Sequence, residues 1–284
     1  MKYAVSDLVA GLAVSDGVGR TRAAGRLMTA LVERPETQRE LLEALRVAVL
    51  PRPAFVLGIT GAPGVGKSTL VDVLTANLLR VRPELKIAII AVDPTSPFTG
   101  GAVLGDRVRM MRLALEERVF IRSLATRGEL GGVCRAVPGV LAAARLWGAE
   151  LAIVETVGVG QSEIEIARHA DRTCVVMAPG LGDGVQWLKA GLMEVADIFV
   201  VNKSERDGAD ALLSQLTSAV ALASRGPRRR LRANTSSAPL SSSPPILAVS
   251  AELGQGIDAL VDTFGLGDSP SISTSLTTEI APHA

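Results

Sequence analysis

The sequence predicts an α/β protein: a doubly wound, mostly parallel sheet with helices on both faces, preceded by a small helical lobe. From residue 53 onward, apolar runs alternate with segments of helical periodicity, which is the order expected of right-handed β–α–β crossovers. Each run is apolar throughout rather than alternating, as expected of parallel strands covered on both faces. The strand candidates are 54–60, 87–92, 119–123, 151–155, 173–177, 198–202 and 246–249.

Residues 1–50 are predicted to form the helical lobe, packed on a main domain that covers 51–264. An apolar stripe at helical spacing predicts a helix that Pro35 ends. Residues 37–40 read Thr-Gln-Arg-Glu, a capping box that predicts the start of a second helix. The stripe consists of Ala24, Leu27, Met28, Leu31 and Val32.

Two segments are predicted to be disordered. Residues 224–245 are rich in Ser, Pro and Arg and indicate an exposed insertion, and 265–284 form a polar tail. We interpret the short basic cluster at 228–230 as part of a solvated loop.

Composition excludes several classes of function. Lys and Arg total 30 against 29 Asp and Glu, so the net charge of +1 gives no electrostatic case for nucleic acid or an anionic membrane. The two cysteines are not in a C-x-x-C pair, which favours a reducing compartment over a disulfide framework. The apolar runs are too short to span a bilayer and the first residues do not resemble a leader. We therefore expect a cytoplasmic protein, or a mitochondrial matrix protein if it is eukaryotic.

A glycine-rich loop stands between the first strand candidate and a helical segment. Residues 61–68 read GAPGVGKS and match G-x-x-x-x-G-K-S/T at every required position, which predicts a P-loop NTPase. The loop N–H groups and the helix N-terminus would cradle phosphates, Lys67 would reach the outer phosphates, and the Ser68 hydroxyl would ligate Mg²⁺. The residues expected around the nucleotide phosphates are Gly61, Ala62, Pro63, Gly64, Val65, Gly66, Lys67, Ser68 and Thr69.

Acidic residues follow two other strand candidates. Pro94 cannot continue the strand 87–92, so Asp93 is placed at its carboxyl end, and Glu155 ends the strand 151–155. Asp106 closes a glycine-containing loop that could change shape with the γ-phosphate. Carboxylates at these positions could hold Mg²⁺ directly or through water.

Two residues beyond Glu155 could face the γ-phosphate. Gly158 could donate its backbone N–H, and Gln161 could orient the attacking water or remain a polar surface residue. Asp183, Gln186 and Lys189 follow the strand 173–177, but their spacing alone does not give them a role.

A base-reading motif follows the strand 198–202. Asn202, Lys203 and Glu205 match N-K-x-D except that the acid is Glu, one methylene longer. In such motifs the acid accepts hydrogen bonds from guanine while Lys packs on the base. Ser250 and Ala251 leave a later strand and could offer backbone N–H groups to the base oxygen.

These motifs together resemble the MeaB/ArgK family of P-loop GTPases, which includes the methylmalonic aciduria type A protein. The resemblance covers roughly 20–264. Its matching segments are 58–69 (GITGAPGVGKST), 91–110 (AVDPTSPFTGGAVLGDRVRM), 125–128 (ATRG), 154–166 (VETVGVGQSEIEI) and 189–203 (KAGLMEVADIFVVNK).

The resemblance implies a chaperone that binds and hydrolyses GTP with Mg²⁺, and that gates adenosylcobalamin loading and protection of methylmalonyl-CoA mutase. It implies that Lys67 and Ser68 hold phosphate and metal, and that Asp93, Asp106 and Glu155 form the magnesium side. Lys67, Glu155 and Gln161 are the candidate catalytic residues. The resemblance assigns Asp183, Gln186 and Lys189 to a mobile switch segment.

The chain departs from the family pattern at three places. Glu205 stands where the family has Asp, and 224–245 is an unusual stretch. The family usually forms a homodimer through helices that follow the position of Phe264, where this chain has a short polar tail.

Three alternatives stay open. A nickel-insertion GTPase would need a Cys/His ligand cluster, which the sequence lacks. A small-molecule kinase of the arginine/ornithine transport type would transfer phosphate to an acceptor rather than to water. A non-hydrolysing nucleotide-binding protein would bind nucleotide without releasing phosphate.

Overall fold

A computed structural model of the protein describes residues 3–14, 17–34, 36–47, 49–93, 113–125, 130–156, 167–181, 192–223 and 243–266. Its centre is a seven-stranded sheet in the order β3-β2-β4-β1-β5-β6-β7. Every neighbouring pair of strands is parallel. The strands are β1 (Phe55–Thr60), β2 (Ile87–Asp93), β3 (Val119–Ala125), β4 (Leu151–Thr156), β5 (Arg172–Met177), β6 (Ile198–Val201) and β7 (Ile246–Ala248).

The parallel sheet predicted from the apolar runs is confirmed, and each of the seven candidates overlaps an observed strand. Strand β1 lies at the middle, with β4 on one side and β5 on the other. The chain winds outward from β1 in both directions, so the loop after β1 lies at the switch point where parallel sheets bind ligands.

None of the helices in the described ranges combines the length and the apolar character that a bilayer crossing requires.

Helices cover the sheet. The helices are α1 (Val5–Val14), α2 (Gly17–Glu33), α3 (Thr37–Leu45), α4 (Lys67–Val81), α5 (Leu130–Trp147), α6 (Leu192–Val195), α7 (Ala209–Ala223) and α8 (Ile257–Phe264), with a short 3₁₀ turn at Leu113–Leu115.

Alternate residues of β1 pack in two separate cores. Leu57 and Ile59 of β1 pack in the core that contains the inner faces of α4 and α8. Val56 faces the opposite core, which contains the inner faces of α1, α2, α3 and α5. Because successive side chains of a strand point to opposite faces, an unbroken apolar run serves both cores.

The N-terminal helices pack on α5 and on strand β3. Leu27 and Met28 of α2 are fully buried, as the predicted stripe requires. The Trp147 indole donates a hydrogen bond to the Thr21 hydroxyl at 2.9 Å, and its ring lies 5.4 Å from that of Phe120. These contacts fix α2 over the outer part of the sheet.

The predicted capping box is wrong. Helix α3 does begin at Thr37, but the residue at the cap position is Glu36, which makes no capping hydrogen bond through its side chain. The Thr37 hydroxyl instead donates to the Ala30 carbonyl at 3.1 Å, and Thr37 is fully buried. The hydroxyl satisfies an acceptor at the end of α2, because the sharp turn brings that end beside it.

Two aspartates, buried Asp171 and half-buried Asp197, tie the central strands together. The Asp171 carboxylate accepts a hydrogen bond from the Val56 N–H at 2.7 Å and also contacts Arg52. The Asp197 carboxylate accepts from the Thr173 N–H at 2.7 Å. Both contacts lie at the amino ends of the strands, so they help to set the register that aligns the carboxyl ends.

Candidate nucleotide site

The loop after β1 can be built only with glycine at two positions. A Cβ atom on Gly61, where φ is 146°, would lie 2.1 Å from the Val176 carbonyl oxygen. A Cβ atom on Gly66, where φ is 92°, would lie 2.5 Å from the Asn202 side-chain nitrogen. The loop therefore lies directly against β5 and against the residue that follows β6.

Helix α4 starts inside the loop. Its first residue is Lys67, and the preceding Gly66 makes no side-chain cap. Gly66 therefore leaves the first N–H groups of the helix uncapped. Such N–H groups at a helix N-terminus donate hydrogen bonds to phosphate oxygens. Leu70, Leu74 and Leu78 form the inner face of the helix and are fully buried.

Lys67 lies across the loop. Its Nζ donates to the carbonyl oxygens of Gly61 at 2.8 Å and Ala62 at 3.1 Å, and the side chain is only 7% exposed. These two contacts hold the ammonium group within the curve of the loop. A buried ammonium in such a place attracts an anion strongly, because little water screens it.

Ser68 and Glu155 meet beside this lysine. The Ser68 hydroxyl donates to Glu155 Oε1 at 2.8 Å, and Glu155, near the end of β4, is 5% exposed. A hydroxyl and a carboxylate are hard oxygen ligands of the kind that Mg²⁺ takes, so these two residues fit a magnesium ion.

Of the other acids predicted to bind magnesium, Asp93 is described for its backbone alone and Asp106 lies outside the described residues. Asp93 is the last residue of β2, as predicted, and β2 pairs with β4 so that Val92 is opposite Thr156. The two strand ends therefore lie side by side, although the Asp93 side chain is outside the description. Asp106, Gly158, Gln161, Asp183, Gln186 and Lys189 lie outside the described residues, and their roles stay predictions.

Asn202 joins the phosphate loop to the loop after β7. Its Nδ2 donates to the Val65 carbonyl at 2.9 Å and its Oδ1 accepts the Ala251 N–H at 3.0 Å, with 2% of the residue exposed. The sequence placed Asn202 among the base-reading residues and did not indicate its contact with the phosphate loop. A detectable signal was its position directly after a fully apolar strand, where a polar side chain needs partners inside the protein.

Both backbone amides predicted to meet a base oxygen donate within the protein. The Ala251 N–H donates to Asn202, and the Ser250 N–H donates to the Gln255 carbonyl at 3.1 Å. The predicted contact of these amides with a base oxygen stays a prediction. It would require Ser250 or Ala251 to replace its present hydrogen bond with one to the base.

Lys203 lies on the phosphate loop as well. Its Nζ donates to the Gly64 carbonyl at 2.6 Å, and its backbone has a left-handed φ of 57°. The side chain therefore crosses from the base-reading segment to the loop, as Asn202 does.

Glu205 is an exposed, ionised acceptor. A hydrogen bond from the buried Ser250 hydroxyl lowers the pKa of Glu205, and its own backbone and the nearby Arg206 act in the same direction. An ionised carboxylate is the form that accepts hydrogen bonds from a ring N–H and an exocyclic amine. The extra methylene of Glu thus leaves an acceptor of the right chemistry on this loop.

Cys174 lies inside the sheet. Burial raises the pKa of the Cys174 thiol well above its ordinary value, and the residue is fully buried in β5. In the described ranges, no group of three His, Cys, Asp or Glu side chains is arranged to hold a metal ion. Within those ranges, nothing supports the transition-metal delivery alternative.

We expect Asn202→Ala to lower the free energy of unfolding by about 1–3 kcal/mol, because it leaves a buried carbonyl and a buried N–H without partners. Urea denaturation measures the loss. The control Asn77→Ala removes an exposed contact to Asp258 and should cost under about 0.5 kcal/mol. Equal losses in the two variants would contradict the bridging role of Asn202.

We expect Ser250→Ala to raise the pKa of Glu205 towards its ordinary value, since the largest cause of its depression is lost. In the parent protein, the Ser250–Glu205 contact contributes stability above the ordinary carboxyl pKa and loses it as the pH falls through the lowered pKa. Carboxyl NMR titration measures the shift, with the exposed Ser218→Ala as control. An unmoved Glu205 titration in Ser250→Ala would contradict the assignment.

Known proteins resemble the chain over most of its length. A family model described as "Methylmalonyl Co-A mutase-associated GTPase MeaB" matches residues 17–265. A Pyrococcus abyssi protein named provisionally as a GTPase is 45% identical over 245 residues, which are 86% of this chain and 71% of that protein. Escherichia coli GTPase ArgK is 42% identical over 66% of this chain, which spans 57% of ArgK.

Two further similarities extend this set. The Caenorhabditis briggsae protein named methylmalonic aciduria type A homolog, mitochondrial, is 43% identical over 54% of this chain and 37% of that protein. A crystal structure of an LAO/AO transport system kinase matches with a TM-score of 0.62 and 29% identity, over 92% of this chain and 75% of that one. The resemblance predicted from the motifs is therefore confirmed, and the chain belongs to the MeaB family of P-loop GTPases.

Proposed function

We propose that this chain binds GTP with Mg²⁺ and hydrolyses it to GDP and phosphate. The observation that carries the proposal is the grouping of Lys67, Ser68 and Glu155 at the carboxyl ends of β1 and β4, with Lys67 on the loop carbonyls and Ser68 on the carboxylate. A P-loop lysine, a hydroxyl and an acid are the parts that this reaction needs near the outer phosphates.

We assign the following roles in this site. The loop amides and Lys67 bind the phosphates, and Lys67 stabilises the charge that develops on the outer oxygens during attack by water. Ser68 and Glu155 hold the magnesium ion, together with Asp93 and Asp106. Mg²⁺, when bound, neutralises phosphate charge. Gly158 donates to the γ-phosphate, Gln161 orients the water, and Asp183, Gln186 and Lys189 form the switch.

We assign base selection to the segment after β6. Glu205 accepts from the guanine ring, Lys203 supports the base, and the amides of Ser250 and Ala251 lie nearby. The lowered pKa of Glu205 supports this part, because the carboxylate is ionised at neutral pH. Residues 51–264 form the nucleotide-binding domain in this proposal, and 1–50 form the helical lobe.

We further propose that the protein serves adenosylcobalamin-dependent methylmalonyl-CoA mutase as a G-protein chaperone that gates cofactor loading and protects the enzyme. The match to a mutase-associated family model and the similarity to the methylmalonic aciduria type A homolog support this client. We place the protein in the cytoplasm, or in the mitochondrial matrix if it is eukaryotic. A homodimer is the assembly that the family resemblance implies.

We expect Lys67→Ala to lower GTP turnover by roughly 100-fold or more, because it removes a preorganised charge next to the reacting phosphate. Phosphate release measures turnover, and circular dichroism checks that the variant is folded. The control Lys86→Ala changes a lysine near Trp147, just before the amino end of β2, and should keep parent turnover. Parent-like turnover in folded Lys67→Ala would refute hydrolysis at this site.

We expect calorimetric titration to show binding of GTP and GDP, with ATP weaker by about tenfold or more. If the bound nucleotide controls the affinity of the chaperone for the mutase, the mutase changes the affinity for GTP or GDP by the same factor, because coupling between two ligands is reciprocal. An unchanged nucleotide affinity at saturating mutase would refute the nucleotide-gated chaperone role but leave the GTPase proposal intact. Equal affinity for GTP and ATP would refute the role given to Glu205.

A further inference from the structure

A cavity lies beside the edge strand of the sheet. It has a volume of about 590 Å³ and runs between helix α2 and the amino-terminal half of strand β3. The cavity is remote from the phosphate loop, since β3 is an edge strand separated from β1 by β2 and β4. A volume of this size is in the usual range for small-molecule sites. The lining residues are Thr21, Arg22, Gly25, Arg26, Thr29, Val119, Phe120, Ile121 and Arg122.

Three arginines line this cavity, which we call the edge groove. Arg22 and Arg26 are one helical turn apart on α2, and Arg122 faces them from β3. None of the nine lining residues is acidic. Among the residues that the structure describes, no carboxylate lies within ion-pair distance of Arg22 or Arg26. The groove therefore concentrates positive charge in a chain whose net charge is only +1.

Two of these guanidinium groups are held in place by neighbours. Arg122 donates to the Thr29 hydroxyl, which itself donates to the Gly25 carbonyl at 3.0 Å. Arg26 lies over the Tyr3 ring, with 4.4 Å from the guanidinium carbon to the ring centre. A guanidinium stacked on a ring keeps its N–H edge free to bind an anion, and less entropy is lost when the anion arrives.

Gly25 keeps the groove open. A Cβ atom on Gly25 would meet only the Arg122 Nη1 atom, at 3.8 Å. Glycine is a weak helix former, so its presence in the middle of α2 does not favour the helix. Its effect is to leave space between α2 and the β3 arginine.

We propose that the edge groove binds a small molecule that carries phosphate groups. Arg22 and Arg26 favour a compact anion, since their planar N–H pairs match phosphate oxygens in bidentate geometry, and Arg122 adds positive charge beside them. An extended acidic peptide would need a longer row of cations and a longer open edge than the four lining residues of β3 provide. This inference does not depend on the proposed function.

The test is calorimetric titration of inorganic pyrophosphate into the full chain saturated with GDP, so that the phosphate loop is occupied. If the phosphate loop does not bind GDP, the same titration is made with nucleotide-free Lys67→Ala protein, in which pyrophosphate binding at the loop is weakened. We expect one saturable site in the parent chain. Arg22→Gln combined with Arg26→Gln should weaken it by about tenfold for each lost charge-assisted contact.

Two further variants separate a built site from general charge attraction. Arg39→Gln changes an exposed arginine on α3, outside the groove, and should keep the parent affinity. Gly25→Leu fills the groove while all three arginines remain, and should abolish binding; thermal melting checks that it is folded. The proposal is overturned if the parent chain shows no saturable site, if the arginine pair variant binds as the parent does, or if Arg39→Gln weakens binding equally.

Discussion

The side-chain amide of Asn202 is the contact on which the geometry of the nucleotide site depends. It donates to the carbonyl of Val65 in the phosphate loop and accepts the N–H of Ala251 in the loop after β7. Both hydrogen bonds are buried, so removal of the amide would leave each partner without water to replace the lost bond, at a cost in stability. The phosphate loop, the segment after β6 and the loop after β7 are thereby held at fixed distances by one residue.

The sheet brings these three segments within reach of that residue. Parallel strands β1, β5, β6 and β7 are consecutive in the sheet, and their carboxyl ends lie on one edge. The aspartates at 171 and 197 accept backbone N–H groups at the opposite edge. Register fixed at one end of a strand determines where its other end lies, so these two carboxylates, far from the candidate site, help to position the residues that would bind a nucleotide.

Much of this architecture could be predicted from the sequence. Unbroken apolar runs such as 151–154 identified parallel strands, because no alternating strand could bury both faces. The motif at 61–68 located the phosphate loop, since few loops of other kinds need glycine, lysine and serine in that order. Thr37 was misassigned because its hydroxyl can either accept a backbone N–H, as a helix cap does, or donate to a carbonyl, and tertiary packing places it against the Ala30 carbonyl.

Other features could not be predicted because they join residues far apart in the chain. Nothing in the local sequence indicates that Gly66 lies against Asn202, or that Arg122 lies opposite Arg22 and Arg26. Such contacts arise from the order of strands in the sheet, which periodicity does not encode. The engagement of the Ala251 amide by Asn202 is of the same kind.

The backbone of Lys203 has a consequence for stability. A left-handed conformation is costly for a residue with a β-carbon, by about 1 kcal/mol or more, and glycine or asparagine adopts it more readily. A mutation to either would relieve the strain but would remove the ammonium group that now rests on the Gly64 carbonyl. Backbone strain and the contact with the phosphate loop therefore oppose one another at this position, and a substitution by glycine would exchange the second for relief of the first.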